Sequence, residues 1–168
     1  MIYQVYCDGS TRANGQENAV GAWAYVILNG EYGTMVIADV QTEVGTTNQR
    51  MELAAALNAL NTTVPMCEVF DEIEVFTDSA YLHNCVRQKW YSNWMMNGWK
   101  NSKKQPVANQ DLWEQLVPYF EMPNITFSKV KGHADNRDVH EQWNNYVDNL
   151  AQNASSRLKE KLDASSSN

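Results

Sequence analysis

Residues 72–89 read EIEVFTDSAYLHNCVRQK, and the class of fold turns on them. The first six residues alternate polar and apolar and are rich in β-branched and aromatic types, which predicts a strand over 72–77. Asp78-Ser79 is a good helix start, because a short polar side chain there can accept from the orphan amides of a first turn, and 81–89 then reads as a helix. A strand that runs straight into a helix is a building unit of α/β proteins.

Working outward, residues 2–7, 20–28 and 32–40 alternate in the same manner, the last two on either side of the turn Asn29-Gly30, and read as three antiparallel strands. Residues 48–61 are rich in Met, Leu and Ala with Leu53, Leu57 and Leu60 at helical spacing, and Thr47 or Asn48 can cap the first turn. Downstream, 92–99 and 109–120 read as helices separated by a polar loop over 100–106, and 124–130 as a fifth strand. In the last helix Trp143, Tyr146, Val147, Leu150, Ala151 and Ala154 form one apolar stripe. The expected architecture is one five-stranded mixed sheet flanked by helices, with no internal repeat or linker.

The chain has 168 residues and 43% apolar residues, enough for one domain with a real core. Cys7, Cys67 and Cys85 form no CxxC pair and are odd in number, so they read as reduced core residues rather than as a disulfide or zinc framework. The first residues contain no charged leader with an apolar run behind it, and the longest apolar stretch, near 22–28, is too short to span a bilayer. Secretion and membrane insertion are not expected, and a cytoplasmic location is.

A net charge of −7 argues by itself against a nucleic-acid partner. Its distribution argues otherwise. Residues 79–110 contain no acid, while Arg87, Lys89, Lys100, Lys103 and Lys104 give +5 and leave −12 for the rest of the chain.

Three carboxylates are expected at element ends: Asp8 closing strand one in YCDGS (6–10), Asp78 closing strand four in VFTDSA (75–80), and Glu52 in the first turns of a helix in NQRMEL (48–53). Neighbouring strand ends under a helix start are the usual place for an α/β active site, and Asp148 on the final helix can supply a fourth oxygen donor. Crowded carboxylates repel unless cations neutralise them, so such a set calls for a hard ion with oxygen preference, chiefly Mg²⁺ or Mn²⁺. Spacing does not prove that they converge, and each alone also reads as a helix cap or turn former. His133 lies in a Gly-containing loop, where a histidine can titrate near neutrality and carry a proton, or be a plain surface residue. His83 and His140 read as surface or packing residues. Thr11 and Arg12 in GSTRANG (9–15) read as a loop that can grip a phosphate or remain solvated.

YCDGS (6–10), TTNQRMELAAALNAL (46–60), FTDSAY (76–81), DLW (111–113), VKGHA (130–134) and NNYVDNLA (144–151) resemble, in content and order, the type 1 ribonuclease H family over residues 2 to about 155. Residues 156–168 read as the end of the C-terminal helix, with the polar tail from 164 expected to be disordered. The resemblance implies a ribonuclease H-like domain over 1–155. It implies a hydrolase, acting as a monomer, that cuts the RNA strand of RNA:DNA hybrids. It implies that Asp8, Glu52, Asp78 and Asp148 hold two Mg²⁺, replaceable by Mn²⁺, about 3.5 to 4 Å apart around the scissile phosphate, giving 5′-phosphate ends, with His133 moving a proton.

Asn14, Asn48, Gln49 and Asn144 match family positions that touch nucleic-acid backbone or sugar, where amides suit 2′-hydroxyls because they both donate and accept. Gln49 stands where Asn is commoner. The segment KWYSNWMMNGWKNSKKQP (89–106) resembles the substrate-binding handle of bacterial members, with Trp90, Trp94 and Trp99 packing its helix and Lys100, Lys103 and Lys104 meeting DNA phosphates. It departs from the family where Met95, Met96 and Asn97 replace basic residues, which implies weaker hybrid affinity. It departs again at 135–142, a longer and more charged loop than in compact members. A DNA nuclease or strand-transferase on the same fold, and a non-catalytic hybrid-binding module, are the alternative readings.

Overall fold

The protein is described from a computed structural model covering residues 1–135 and 138–166. The chain begins with three antiparallel strands, β1 (Ile2–Arg12), β2 (Val20–Asn29) and β3 (Thr34–Val44). Helix α1 (Asn48–Thr63) follows, then a short 3-10 turn (Val64–Met66), β4 (Glu72–Thr77), and helices α2 (Ala80–Gln88), α3 (Trp90–Met96) and α4 (Gln110–Phe120). Strand β5 (Ile125–Lys129) and the long helix α5 (Val139–Ser166) complete the described part. The strands form one mixed sheet in the order β3-β2-β1-β4-β5, with β1 parallel to β4 and β4 parallel to β5.

Side chains on a strand alternate between faces, and here the two faces make two cores. Tyr3, Val5 and Cys7 of β1 pack with Ile73 and Val75 of β4 beneath α1, α2 and α4. Tyr6 and Phe76 pack with Ala22, Ala24 and Val26 of β2 beneath Val147 and Ala151 of α5. The α5 stripe buries Val147 and Ala151 as expected, with Trp143, Leu150 and Ala154 partly buried against the same core, whereas Tyr146 is exposed. His140 is a packing residue: its ring stacks 4.4 Å from Phe76, and Nδ1 lies 2.6 Å from the Tyr6 hydroxyl.

Several boundaries differ from expectation. Strand β1 does not stop at Asp8 but runs to Arg12, because β2 continues to pair with it as far as Arg12↔Val20. Its pairing with β4 ends at Tyr6↔Phe76, so Asp8 lies where the parallel ladder gives out, and Thr11 and Arg12 are on a strand rather than a loop. Strand β3 begins at Thr34 and reaches Val44, since the connection is a four-residue turn closed by Gly33 N–H donating to Asn29 C=O at 2.8 Å.

Helix α3 ends at Met96, not Trp99, because Gly98 at φ 67 and Trp99 at φ 61 leave the helical region. A single left-handed residue, Lys89 (φ 52), separates α2 from α3. Helix α5 continues through Ser166, where a disordered tail from 164 was expected; the last two residues, like 136 and 137 of the 135–142 stretch, lie outside the described residues. Among the described residues no helix is long and apolar enough to cross a membrane.

Candidate active site

Three elements deliver three carboxylates to one place. Asp8 projects from β1 toward the α5 face, Glu52 sits in the second turn of α1, and Asp78 follows the last residue of β4. Each offers an oxygen, and these lie within 4.8 Å of one another. Local sequence accounts for the convergence. Thr47 caps α1 by accepting from Arg50 N–H at 3.2 Å, which fixes where the helix begins. Gly9 lets α1 touch β1: a Cβ there would lie 2.5 Å from the Glu52 amide nitrogen. On the other side, Ser79 caps α2 by accepting from Leu82 N–H at 3.1 Å, and Val130 N–H donates to Thr77 C=O at 2.8 Å, holding the ends of β4 and β5 together.

Helix α5 adds the fourth carboxylate. Asp148 lines the same open cleft, about 280 Å³, as Asp8, Glu52, Asp78 and His133. His133, left-handed at φ 50 on the loop after β5, holds Nδ1 3.5 Å from Asp148 Oδ2 with its side chain 76% exposed. Gly132 lets that loop pass over Asp78, since a Cβ would meet Asp78 Oδ2 at 2.9 Å.

The electrostatics are those of too many buried negative charges. Burial first, and then the charges of Glu52 and Asp78, push the Asp8 carboxyl far above the usual carboxylate range. Burial and the charge of Asp78 raise Glu52 to about 8. Asp8 Oδ2 and Glu52 Oε2 are buried with no hydrogen-bond partner among the described residues, a state that costs free energy unless something supplies positive charge. An all-oxygen donor set with orphaned carboxylate oxygens fits a hard divalent cation such as Mg²⁺ or Mn²⁺.

Not every expected residue meets this site. Asn144, expected against nucleic acid, is fully buried; its Nδ2 donates to Asp78 Oδ2 at 3.3 Å, so it stands behind that carboxylate. Asn14, Asn48 and Gln49 do come together, lining a second depression with Thr47 and Asn109, and Asn14 Oδ1 accepts from Asn48 N–H at 3.0 Å. Asn48 also lines the carboxylate cleft, so the two depressions adjoin. Thr11 lines the cleft too, and Arg12, next to it on β1, is exposed. Gln152, not foreseen, lines the cleft one turn beyond Asp148; the i, i+4 spacing was the available signal.

The handle segment is a separate feature. Trp90, Trp94 and Trp113 form a chain of tilted rings with centroids 6.4 and 5.4 Å apart, and Trp99 stands 6.1 Å from Trp94. Trp113 is fully buried and anchors the chain. Lys100 bridges Pro106, and Asn101 Oδ1 accepts from Lys103 N–H at 2.9 Å and Gln105 N–H at 3.0 Å. The ordered loop exposes Lys100, Lys103 and Lys104, and a groove beside it is lined by Trp90, Trp94 and Lys100. Met95 and Met96 are exposed on α3, at 54% and 83%.

An RNase H family profile matches residues 2–156. A ribonuclease H of Clostridium botulinum is 41% identical over 150 residues, covering 89% of this chain and 93% of its own. Among solved structures, a foamy viral protease-reverse transcriptase in complex with RNA/DNA hybrid superposes with a TM-score of 0.76 at 21% identity, over 91% of this chain and 20% of that one. LC9-RNase H1, a type 1 RNase H with the type 2 active-site motif, superposes with a TM-score of 0.72 at 25% identity, over 92% and 72% of the two chains. The five-stranded mixed sheet and its flanking helices are those of ribonuclease H domains.

Proposed function

Because the chain belongs to the ribonuclease H family and is a hydrolase, we propose that it cuts the RNA strand of RNA:DNA hybrids at the cleft between β1, α1, β4 and α5, leaving 5′-phosphate ends. The observation that carries this reading is the meeting of Asp8, Glu52 and Asp78 within 4.8 Å, from three elements distant in sequence, beside Asp148. A divalent metal is the group that such a donor set holds, and two Mg²⁺, with Mn²⁺ able to replace them, fit the four carboxylates. Held by Asp8, Glu52, Asp78 and Asp148, such ions would supply an activated water and offset the charge on the departing 3′ oxygen.

The chain's own residues then have distinct tasks. Asp8, Glu52, Asp78 and Asp148 hold the cations, and Asn144 fixes the Asp78 carboxylate by donating to one of its oxygens. His133, exposed on a loop at the cleft mouth, carries a proton between its imidazole and solvent during water attack or product departure. Asn14, Asn48 and Gln49 face the sugar-phosphate backbone, where neutral amides can both donate to and accept from 2′-hydroxyls. Thr11 and Arg12 grip phosphate at the other rim. Lys100, Lys103 and Lys104, with Trp90 and Trp94 behind them, draw in DNA phosphates. No base edge is read in this scheme, so cleavage follows hybrid shape rather than sequence. Cys7, Cys67 and Cys85 are free thiols, which supports a reducing compartment such as the cytoplasm, and a monomer suffices because one chain carries the whole donor set.

The test is incubation with end-labelled RNA:DNA hybrid, with and without Mg²⁺, beside single-stranded RNA, duplex RNA and duplex DNA. Metal-dependent loss of the hybrid's RNA strand alone is expected. Cleavage of duplex DNA in preference, or cleavage that persists in chelator, would overturn the proposal.

A further inference from the structure

Asp148 is held differently from the other three carboxylates. Asp8, Glu52 and Asp78 have backbones fixed by the sheet or by the packed N-terminal turns of α1, and the tight group they form does not include Asp148. Asp148 hangs from one face of α5 with its side chain 13% exposed at the rim of the cleft. The terminal torsion of a carboxylate is broad, so packing alone does not decide where its two oxygens point.

The Asp8 carboxyl shares a hydrogen bond with the Asp148 side chain, and two nitrogen groups approach Asp148 Oδ2 from outside the carboxylate set. Gln152 Nε2 donates to Oδ2 at 2.9 Å, whereas His133 Nδ1 stands 3.5 Å away on an exposed loop. Gln152 is closer and rides on the same helix, one turn on, so its position relative to Asp148 does not depend on the loop. Its backbone is tied down in turn, since its carbonyl accepts from the hydroxyl of Ser155, which is fully buried, at 3.1 Å. The chemistry of the donor matters as well. An amide turns a carboxylate without neutralising it, whereas Lys or Arg at that place would both orient and discharge it.

We propose that Gln152 is a positioning residue for Asp148: its amide holds Oδ2 so that the carboxylate stays turned into the cleft beside Asp8 and keeps its full charge for a divalent cation. The inference rests on the metal-dependent reading of the cleft. Partners that orient ligands in this manner typically change metal affinity by about 10- to 100-fold when removed. The competing account is a plain i, i+4 helix pair, which would contribute to helix stability only.

Isothermal titration of MgCl₂ and of MnCl₂ into the metal-free full chain, without substrate, separates the two. Gln152→Ala removes the side chain, and Gln152→Met keeps its length while removing the donor. Asn153→Ala, exposed on the same helix, is the control. Both Gln152 variants are expected to weaken metal binding by about 10-fold or more, with Asn153→Ala within about two-fold of the parent. In hybrid cleavage, the metal concentration for half-maximal rate should rise by the same factor, while kcat at saturating metal stays within about three-fold, the pattern of weakened ground-state binding.

Metal affinity unchanged in Gln152→Met overturns the proposal, and so does a fall in metal-free melting temperature with no change in affinity. If the parent binds metal and Asp78→Asn loses it while Asp148→Asn does not, Gln152 has nothing to position and the proposal falls while the site stands. If the parent binds neither metal, the reading of the cleft falls too.

Discussion

Asp78 bears on the rest of the cluster more than its own exposure suggests, since its charge raises both Asp8 and Glu52. Asp78→Asn should therefore abolish Mg²⁺-dependent cleavage while leaving the metal-free protein as stable as the parent or slightly more so, because one of the repelling charges is gone and Asn144 can still donate to the new amide oxygen. Thermal melts in chelator beside a hybrid-cleavage assay check both halves; near-parental activity would remove Asp78 from the site. His133 touches the cluster only at 3.5 Å and from an exposed loop. His133→Ala should slow turnover by roughly 10- to 10⁴-fold, the usual range for missing acid-base help, and keep its metal requirement. A pH–rate profile unchanged from pH 6 to 9 would show that it moves no proton in the rate-limiting step.

At the scale of elements, the site depends on how closely α1 lies against β1. A Cβ on Gly9 would approach backbone atoms of Met51 and Glu52 at 2.6 and 2.5 Å, and backbone in a packed helix cannot step aside cheaply. Gly9→Ala should push α1 outward, lowering stability by about 1–3 kcal/mol and weakening metal binding because Asp8 and Glu52 no longer meet. Chemical denaturation and metal titration on the same sample test this, and parental values for both would contradict the close approach. The proposed handle would work differently. Its lysines sit on a loop braced by Asn101 and by the tryptophan chain, away from the carboxylates. Charges so placed would attract phosphate equally in ground and transition states, which is uniform binding. Replacing Lys100, Lys103 and Lys104 together by Ala should raise KM for hybrid with little change in kcat, and reduce the salt slope by about one unit for each phosphate no longer neutralised. Steady-state kinetics at several salt concentrations would expose the error if KM and its slope did not move.

The molecule as a whole carries −7, and the stretch 79–110 stands out because it holds five of the 13 Lys and Arg residues and no acid, whereas the carboxylate cleft would repel phosphate until cations are bound. This arrangement predicts a stability profile. Asp8 and Glu52 both have carboxyls raised in the folded state, so from the ordinary carboxylate range up to about pH 8 the folded protein holds more protons than the unfolded chain. Stability of the metal-free protein should therefore be greatest toward pH 5 and fall as pH rises through 8. Excess Mg²⁺ should flatten that decline and add about 2.7 kcal/mol when its free concentration is about 100 times its Kd. Calorimetric melts from pH 5 to 9 in chelator and in MgCl₂ test the sign; a metal-free protein that gains stability from pH 5 to 8 would contradict it.

Element types were legible in the chain because their periods are local: alternation marked the strands, and the Leu53, Leu57, Leu60 and Val147, Ala151 spacings marked α1 and α5. Asp8 and Asp78 could be placed from local pattern, because each follows an alternating run and Asp78 precedes the cap residue Ser79, whereas Glu52, Asp148 and His133 were singled out by the family resemblance. What the linear chain could not express were distances between elements. Strand β1 outlasts Asp8 because β2 goes on pairing with it, a partner remote in sequence. Asn144 is buried behind Asp78 rather than exposed to substrate because α5 lies flat across the sheet. The shared burial that raises Asp8 and Glu52 exists only once β1, α1 and β4 have met. Local periodicity is a property of neighbours along the chain, whereas carboxylate repulsion and the place it leaves for a cation are properties of neighbours in space.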